Sequence, residues 1–301
     1  MQLYTILMTN LLGKEGEVFS AQHLPTNTIR AIKIPKKREA PQLNQPRYRS
    51  LAKEAGYLTN LDHPNILKGY ELIKTSENSN SFLVTELCNG GNLSNRIKDH
   101  PIGHQEHIIK SIALQILSAL EYLSSKLIAH KDLKPNNILL SHPDSFDSLK
   151  LIDFGMAEQR REGEMLHITS GTPYYMSPEV YLGRFTEKCD VWSCGVILYF
   201  LITGNKPFTG DTKAELRNMV LQAEPSFAHP YFSKFSPNCK SLIQRMLTKG
   251  EEGRPSAKEA LEDPWFHEEH SANDSTAIPN LYVDCSGDSK SNLKIDLEKS
   301  I

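Results

Sequence analysis

The sequence predicts an α+β fold in two unequal lobes, a small β-rich lobe followed by a larger helical one. Three observations carry this expectation. Short extended runs separated by turn residues occupy positions 3–34 and 66–87. From about residue 92 onward, apolar residues recur at helical spacing instead. The length, 301 residues, is too great for one ordinary core and suits one two-lobed domain or two domains.

The elements follow in order. Leu11-Leu12, Glu17-Val18-Phe19 and Ile29-Arg30-Ala31-Ile32-Lys33-Ile34 read as strands, separated by glycine and by Pro25-Thr26-Asn27. The stretch from Met1 is short for a complete first strand. Residues 35–46 are polar, hold three prolines and read as a loop. Arg47 to Leu61 fits a helix with Leu51, Ala55 and Leu58 on one face. Ile66–Ile73 and Ser81–Leu87 are two further extended runs. Ile109, Ile112, Ala113, Ile116, Leu120 and Leu123 mark a long amphipathic helix. Val191–Ile202 is too short to span a bilayer and contains Ser193, so it predicts a buried helix. Residues 271–301 are polar and without period, which predicts a flexible tail. The expected organisation is one domain over 4–266, with a β lobe at 4–85, a connection at 86–91 and a helical lobe at 92–266. A polar tail follows at 267–301. There is no internal repeat.

Composition narrows the function. The 34 basic residues nearly balance the 36 acidic ones, so no bulk field favours nucleic acid or a membrane surface. Arg30, Lys36, Lys37 and Arg38 read as solvated charges; Lys33, in the same cluster, is set apart below. The five cysteines, at 88, 189, 194, 239 and 285, form no C-x-x-C pair and are odd in number. That suits a reducing compartment. No basic stretch followed by an apolar core begins the chain, so no signal peptide is expected. The expected location is intracellular, cytoplasmic with the nucleus left open. His104 with His107, and His267 with His270, have i, i+3 spacing and no third ligand, so they read as surface histidines rather than a zinc site.

The chemistry is concentrated in three strings. His130-Lys131-Asp132-Leu133-Lys134-Pro135-Asn136-Asn137 is followed sixteen residues later by Asp153-Phe154-Gly155. Then comes Gly171-Thr172-Pro173-Tyr174-Tyr175-Met176-Ser177-Pro178-Glu179. With Ala31-Ile32-Lys33 and Ala52-Lys53-Glu54-Ala55 before them, these strings resemble the protein-kinase family over about residues 12–266. The resemblance implies a two-lobed kinase-like fold, ATP and Mg²⁺ as cofactors, and proteins as substrates.

Phosphoryl transfer needs positioning and charge neutralisation more than covalent help. By resemblance, Asp153 and Asn137 would supply oxygens to Mg²⁺. Asp132 would accept or orient the substrate hydroxyl proton, and Lys134 would place positive charge beside the transferred group. Thr172 would shape the acceptor pocket. Lys33 would hold the α- and β-phosphates, paired with Glu54. Asp62-His63-Pro64-Asn65-Ile66 follows Glu54 at the family's distance. Thr85 would be the gatekeeper, with Glu86-Leu87-Cys88 taking the adenine edge through the backbone. Leu12, Val18, Ala31 and Leu139 would sandwich the ring. Asp190 would brace the catalytic loop, and Arg254 would pair with Glu179.

The chain departs from the pattern in three places. The glycine loop, Gly13-Lys14-Glu15-Gly16-Glu17-Val18, has only two residues between its glycines and lacks the middle one. It should cover the phosphates less fully than a complete loop. Lys131 stands where most members carry an arginine that grips a phosphate; lysine is a point charge without the bidentate fork. Activation by phosphorylation is therefore expected to be weak or absent, with Thr169 the better acceptor among Thr169, Ser170 and Thr172. Asn92 and Asn136 replace two glutamates that read arginine in basophilic members.

Lys134 and Thr172 match the serine/threonine branch. Glu86 through Leu93 and Asp263-Pro264-Trp265-Phe266 resemble calcium/calmodulin-dependent and calcium-dependent kinases, and Gly171–Glu179 is equally similar to the NIMA-related group. The tail from Asp284 lacks the turn glycine and the bidentate glutamate of an EF-hand, with Ser289 and Ile295 at those positions. The competing reading is a pseudokinase acting as a nucleotide-binding or scaffold module, supported by the short glycine loop and Lys131. Lys33, Glu54, Asp132, Asn137 and Asp153, all present, argue against it.

Overall fold

Five strands, β1 (Tyr4–Leu12), β2 (Gly16–His23), β3 (Thr28–Pro35), β4 (Gly69–Lys74) and β5 (Ser81–Glu86), form an antiparallel sheet in the order β1-β2-β3-β5-β4. The computed structural model describes residues 3–12, 16–35, 46–74, 81–99, 105–143 and 145–268. Gly13, Lys14, Glu15, the 36–45 loop with Lys36, Lys37 and Arg38, His104, and the tail from 269 with His270 and Cys285 lie outside the described residues. Asn27 closes the β2–β3 turn with φ 55, a left-handed conformation that asparagine tolerates.

The first strand corrects an expectation. It is complete, nine residues long and paired with β2 from Tyr4↔His23 to Leu12↔Glu17. Register shifts between Ile6 and Met8 and between Thr9 and Leu11 break its alternation, which is why no period-two pattern marks it.

Helix α1 (Pro46–Leu58) crosses from β3 to β4 and buries Leu51, Ala55 and Leu58 on one face. It ends three residues before the expected Leu61. Thr59 Oγ1 and Asn60 Nδ2 donate to the carbonyls of Ala55 and Gly56, so side chains satisfy the last turn. The extended run after it is also shorter than expected. Ile66 bridges to Leu151 in the other lobe, and the sheet begins only at Gly69. A Cβ at Gly69 would stand 2.8 Å from the Leu58 backbone, so only glycine lets this strand approach the end of α1 so closely.

The helical lobe contains α2 (Leu93–Asp99), α3 (Glu106–Ser125), α4 (Pro178–Leu182), α5 (Lys188–Thr203), α6 (Lys213–Gln222), α7 (Pro237–Met246), α8 (Ala257–Leu261) and α9 (Pro264–His267). Two small ribbons are set among them: β6 (Ile128–Ala129) with β9 (Glu158–Gln159), and β7 (Ile138–Leu140) with β8 (Leu149–Leu151). All of α5 except Lys188 and Phe200 is buried, which accounts for its unbroken apolar run. Trp192 on α5 stacks on Phe208 at 5.5 Å.

The core is uneven. One continuous cluster runs from α3 and α5 to Leu51, Ala55 and Leu58 of α1 and to Leu83 of β5, and α1 itself packs between the sheet and the Phe154–Met156 turn. A separate cluster of four buried residues, Tyr4, Ala21, Ile32 and Val84, covers the outer sheet. Cys88, Cys189, Cys194 and Cys239 are free, buried thiols. Among the described residues, no helix is long and apolar enough to cross a membrane.

Candidate active site

The connection between the lobes runs against β7, the strand that follows the loop after β6: the Gly90 N–H donates to the Leu140 carbonyl, and Asn92 bridges to Leu139. The loop is fixed first by α5. The Asp190 carboxylate accepts from the backbone N–H of His130 at 2.6 Å and of Lys131 at 2.9 Å. Burial pushes the Asp190 pKa up, while His130 and these two N–H groups oppose the shift. Lys131 adopts a left-handed φ of 66, which turns the chain sharply just before Asp132. His130 supports the turn from below: its Nε2 meets the Ile152 carbonyl at 2.9 Å, and the Asp132 N–H donates to Nδ1.

Asp132 is 4 % exposed and its carboxylate is surrounded by donors. Lys134 Nζ pairs with Oδ2, Thr172 Oγ1 donates to Oδ1 at 2.6 Å, and Asn137 Nδ2 donates to Oδ2 at 3.1 Å. Lys134 Nζ also donates to Thr172 Oγ1 at 2.9 Å. Asp132, Lys134, Asn137 and Thr172 are therefore one hydrogen-bonded group. A carboxylate held this way, with an alcohol already donating to it, can orient or deprotonate a hydroxyl.

Asn137 spends its Nδ2 on Asp132, which leaves Oδ1 to serve as a ligand oxygen. Its carbonyl accepts from the Ile152 N–H at 3.0 Å, which brings it beside Asp153. Asp153 is half-buried and left-handed, with φ 65 and ψ 66, a costly conformation for a residue other than glycine. Among the described residues its carboxylate has no hydrogen-bond or salt-bridge partner. One carboxylate and one amide oxygen fit Mg²⁺, which takes few protein ligands and completes its shell with phosphate and water.

Lys33 on β3 and Glu54 on α1 form a two-pronged pair, Nζ to Oε2 at 2.7 Å and to Oε1 at 3.0 Å. Glu54 is nearly buried, and Lys33 is the more exposed partner. Thr85 is buried opposite Ala31, and its hydroxyl donates to the Glu86 carbonyl. The Glu86 carboxylate accepts from the Lys68 N–H and pairs with Lys150, so it is spent away from any ligand. Burial, with the Glu86 charge, pushes the Cys88 thiol up to about 11, so it stays protonated. Ala31 is buried, Val18 and Leu139 are half-buried, and Glu17 is exposed. Leu12 and Gly16 end and begin the paired strands of the first hairpin, while Gly13, Lys14 and Glu15 between them lie outside the described residues.

Several partners were not visible in the sequence. Lys131 Nζ pairs with Glu158 Oε2 at 2.5 Å and reaches the Ile168 carbonyl at 3.4 Å, with only 3 % of its side chain exposed. The carboxylate five residues beyond Asp153 is the one signal that could have suggested this pair. Arg160 forms a second clasp, with Nε 2.7 Å from Glu187 at the start of α5. Thr169 Oγ1 donates to the Val180 carbonyl. Gly171 has φ 131, and a Cβ there would meet the Lys131 carbonyl at 2.5 Å, so the two segments touch through glycine. The segment is anchored below by Arg254, fully buried, which grips both oxygens of Glu179. Asn92 Oδ1 accepts from the Asn95 N–H at the start of α2, and Asn136 is exposed.

A family model described as the protein kinase domain matches residues 12–266. Calcium-dependent protein kinase 6 of Plasmodium berghei is 40% identical over 255 residues, covering 84% of this chain and 16% of that protein. Calcium-dependent protein kinase 5 of Plasmodium berghei is 36% identical over 254 residues, 84% of this chain and 44% of the relative. Calcium-dependent protein kinase 5 of Plasmodium falciparum is 35% identical over 261 residues, 87% of this chain and 44% of the relative. The chain thus spans less than half the length of these relatives.

Proposed function

This chain belongs to the protein kinase domain family, and on that premise we propose that it transfers the γ-phosphoryl group of ATP to serine and threonine hydroxyls of proteins. The observation that carries the proposal is the Asp132 carboxylate, held by Lys134 and Asn137 with the Thr172 hydroxyl donating to it at 2.6 Å. An alcohol presented to that oxygen stands where its proton can leave as the phosphoryl group arrives.

Each role follows from the chemistry of its side chain. Asp132 orients the acceptor hydroxyl and takes its proton. Lys134 offsets charge on the transferred group, and Thr172 shapes the acceptor pocket. Lys33 holds the α- and β-phosphates, and Glu54 fixes its ammonium in place. Asp153 and Asn137 would hold Mg²⁺, which would supply neutralisation of the phosphate charge. The backbone from Glu86 to Cys88 takes the adenine edge, behind the Thr85 gatekeeper. Leu12, Val18, Ala31 and Leu139 would close on the ring, and the stretch from Gly13 to Glu17, of which Gly13, Lys14 and Glu15 lie outside the described residues, is assigned to the phosphates by its sequence. We place this domain at residues 4–266 and its setting inside the cell, in keeping with four buried free thiols.

The test uses purified protein, radiolabelled ATP, Mg²⁺ and a generic protein substrate. Transfer by the wild type should fall at least about 100-fold in Asp132→Asn, with unchanged thermal unfolding. Asp153→Asn should also lose Mg²⁺-dependent ATP binding. Equal transfer by wild type and Asp132→Asn would overturn the catalytic assignment. ATP binding with no transfer by the wild type would favour the pseudokinase reading instead.

A further inference from the structure

Thr172 touches both Asp132 and Lys134, so a hydroxyl presented to Asp132 lies beside the 3₁₀ turn Pro173–Tyr175 that follows. The residues flanking that hydroxyl must cross the surface around this turn. Two cations stand there. Lys206 Nζ lies 3.7 Å from the centroid of the Tyr174 ring. Arg217 projects from α6, the helix that packs on this turn and on α4. Its charge is felt by Tyr181: burial raises that phenol, and Arg217 opposes the rise. The Tyr181 hydroxyl in turn donates to the Pro173 carbonyl at 2.8 Å. Neither Lys206 nor Arg217 forms an ion pair among the described residues.

Several nearby carboxylates are already committed, although Asp211 at the start of α6 is exposed and its carboxylate has no partner among the described residues. Glu179 is gripped by Arg254, and Glu187 by Arg160. Glu215 accepts from the N–H groups of Asp211 and Thr212 at the start of α6. Asp132 belongs to the catalytic group. Asn92 and Asn136, where carboxylates would attract a basic sequence, are neutral. Asn92 is further occupied as the cap of α2. The surface that an acceptor segment must cross therefore offers unpaired positive charge.

We propose that the protein selects acceptor hydroxyls in acidic segments, with Lys206 and Arg217 as the residues that read flanking aspartate or glutamate. This rests on the phosphotransferase reading of the same site and names its substrate class. A carboxylate meeting an ammonium or guanidinium forms the stronger, charge-assisted kind of hydrogen bond. At a partly exposed surface that is worth roughly a fivefold effect per residue.

The experiment is a serine-peptide array assayed with the full chain. Asp, Arg or Ala is placed in turn at each of five positions on either side of the acceptor. At one or more positions Asp should raise kcat/KM about fivefold over Ala, mainly through KM, and Arg should lower it. Lys206→Glu or Arg217→Glu should invert the Asp-to-Arg ratio at the position it reads. Transfer at equal rates to the three peptide sets, or a preference for Arg, would overturn the inference alone, as would an Asp preference untouched in both variants. Transfer to no peptide and no generic substrate would instead overturn the phosphotransferase reading, and this inference with it. If a variant fails to fold, the wild-type array still decides.

Discussion

Lys33 and Asp132, assigned to one reaction, rest on unlike foundations. Asp132 sits on a loop bonded to Asp190 of α5, at the centre of the large core. Lys33 rises from a sheet whose outer face is covered by a cluster of four buried residues. What steadies Lys33 is Glu54, on a helix that packs into the large core through Leu51, Ala55 and Leu58. Both functional groups are therefore tied to the large cluster, Asp132 through α5 and Lys33 through α1, which also packs on the sheet. The outer sheet contributes position more than stability, and weakening it should be tolerated better.

Three substitutions would break or sharpen this contrast. The largest effect is expected from Asp190→Ala, which strands the His130 and Lys131 N–H groups in a buried site. Unsatisfied buried donors cost on the order of 3 kcal/mol here, which guanidinium unfolding would measure. Transfer should collapse while ATP affinity stays near wild type. Retained transfer would show that the loop holds its shape without α5.

An intermediate effect is expected from Arg160→Gln. Glu187 is raised by burial, but the Arg160 guanidinium, its backbone hydrogen bond and Ser124 outweigh this, leaving its pKa below the usual 4.5. A carboxyl lowered on folding contributes stability above its unfolded pKa and loses it as pH falls through the folded one. Without Arg160 the carboxyl should rise, so acid unfolding followed by circular dichroism should begin nearer neutral pH. The loss at pH 7 should be about 2 kcal/mol. An unchanged acid transition would mean that the clasp does not hold the segment.

The smallest effect is expected from Ile32→Val in the outer cluster, about 1 kcal/mol in stability and no change in kcat. A loss of kcat there would contradict the contrast, because it would tie the outer sheet directly to the catalytic loop.

Much of this arrangement was legible because short strings fixed it. Lys33 with Glu54, Asp190 under the catalytic loop and Arg254 with Glu179 each announce themselves through a neighbouring motif, and the structure pairs them. Helix α5 showed as an apolar run because it is buried on nearly every side. The first strand was underestimated because two register shifts erase its alternation. Lys131 with Glu158 was hidden for another reason. The two residues meet only because β6 pairs with β9, and two-residue strands carry no periodic signal. Lys206 and Arg217 carry no local signal, since nothing near them in the sequence tells that a turn 30 or more residues earlier lies beside them.

The Lys131–Glu158 pair has a consequence in time. A phosphate arrives after synthesis, requires a second enzyme and can be removed. The Glu158 carboxylate is written in the gene and is present once the chain folds. No phosphatase can release the Ile168 carbonyl by stripping this partner from Lys131. The ion pair that orders this stretch is therefore as old as the folded chain itself.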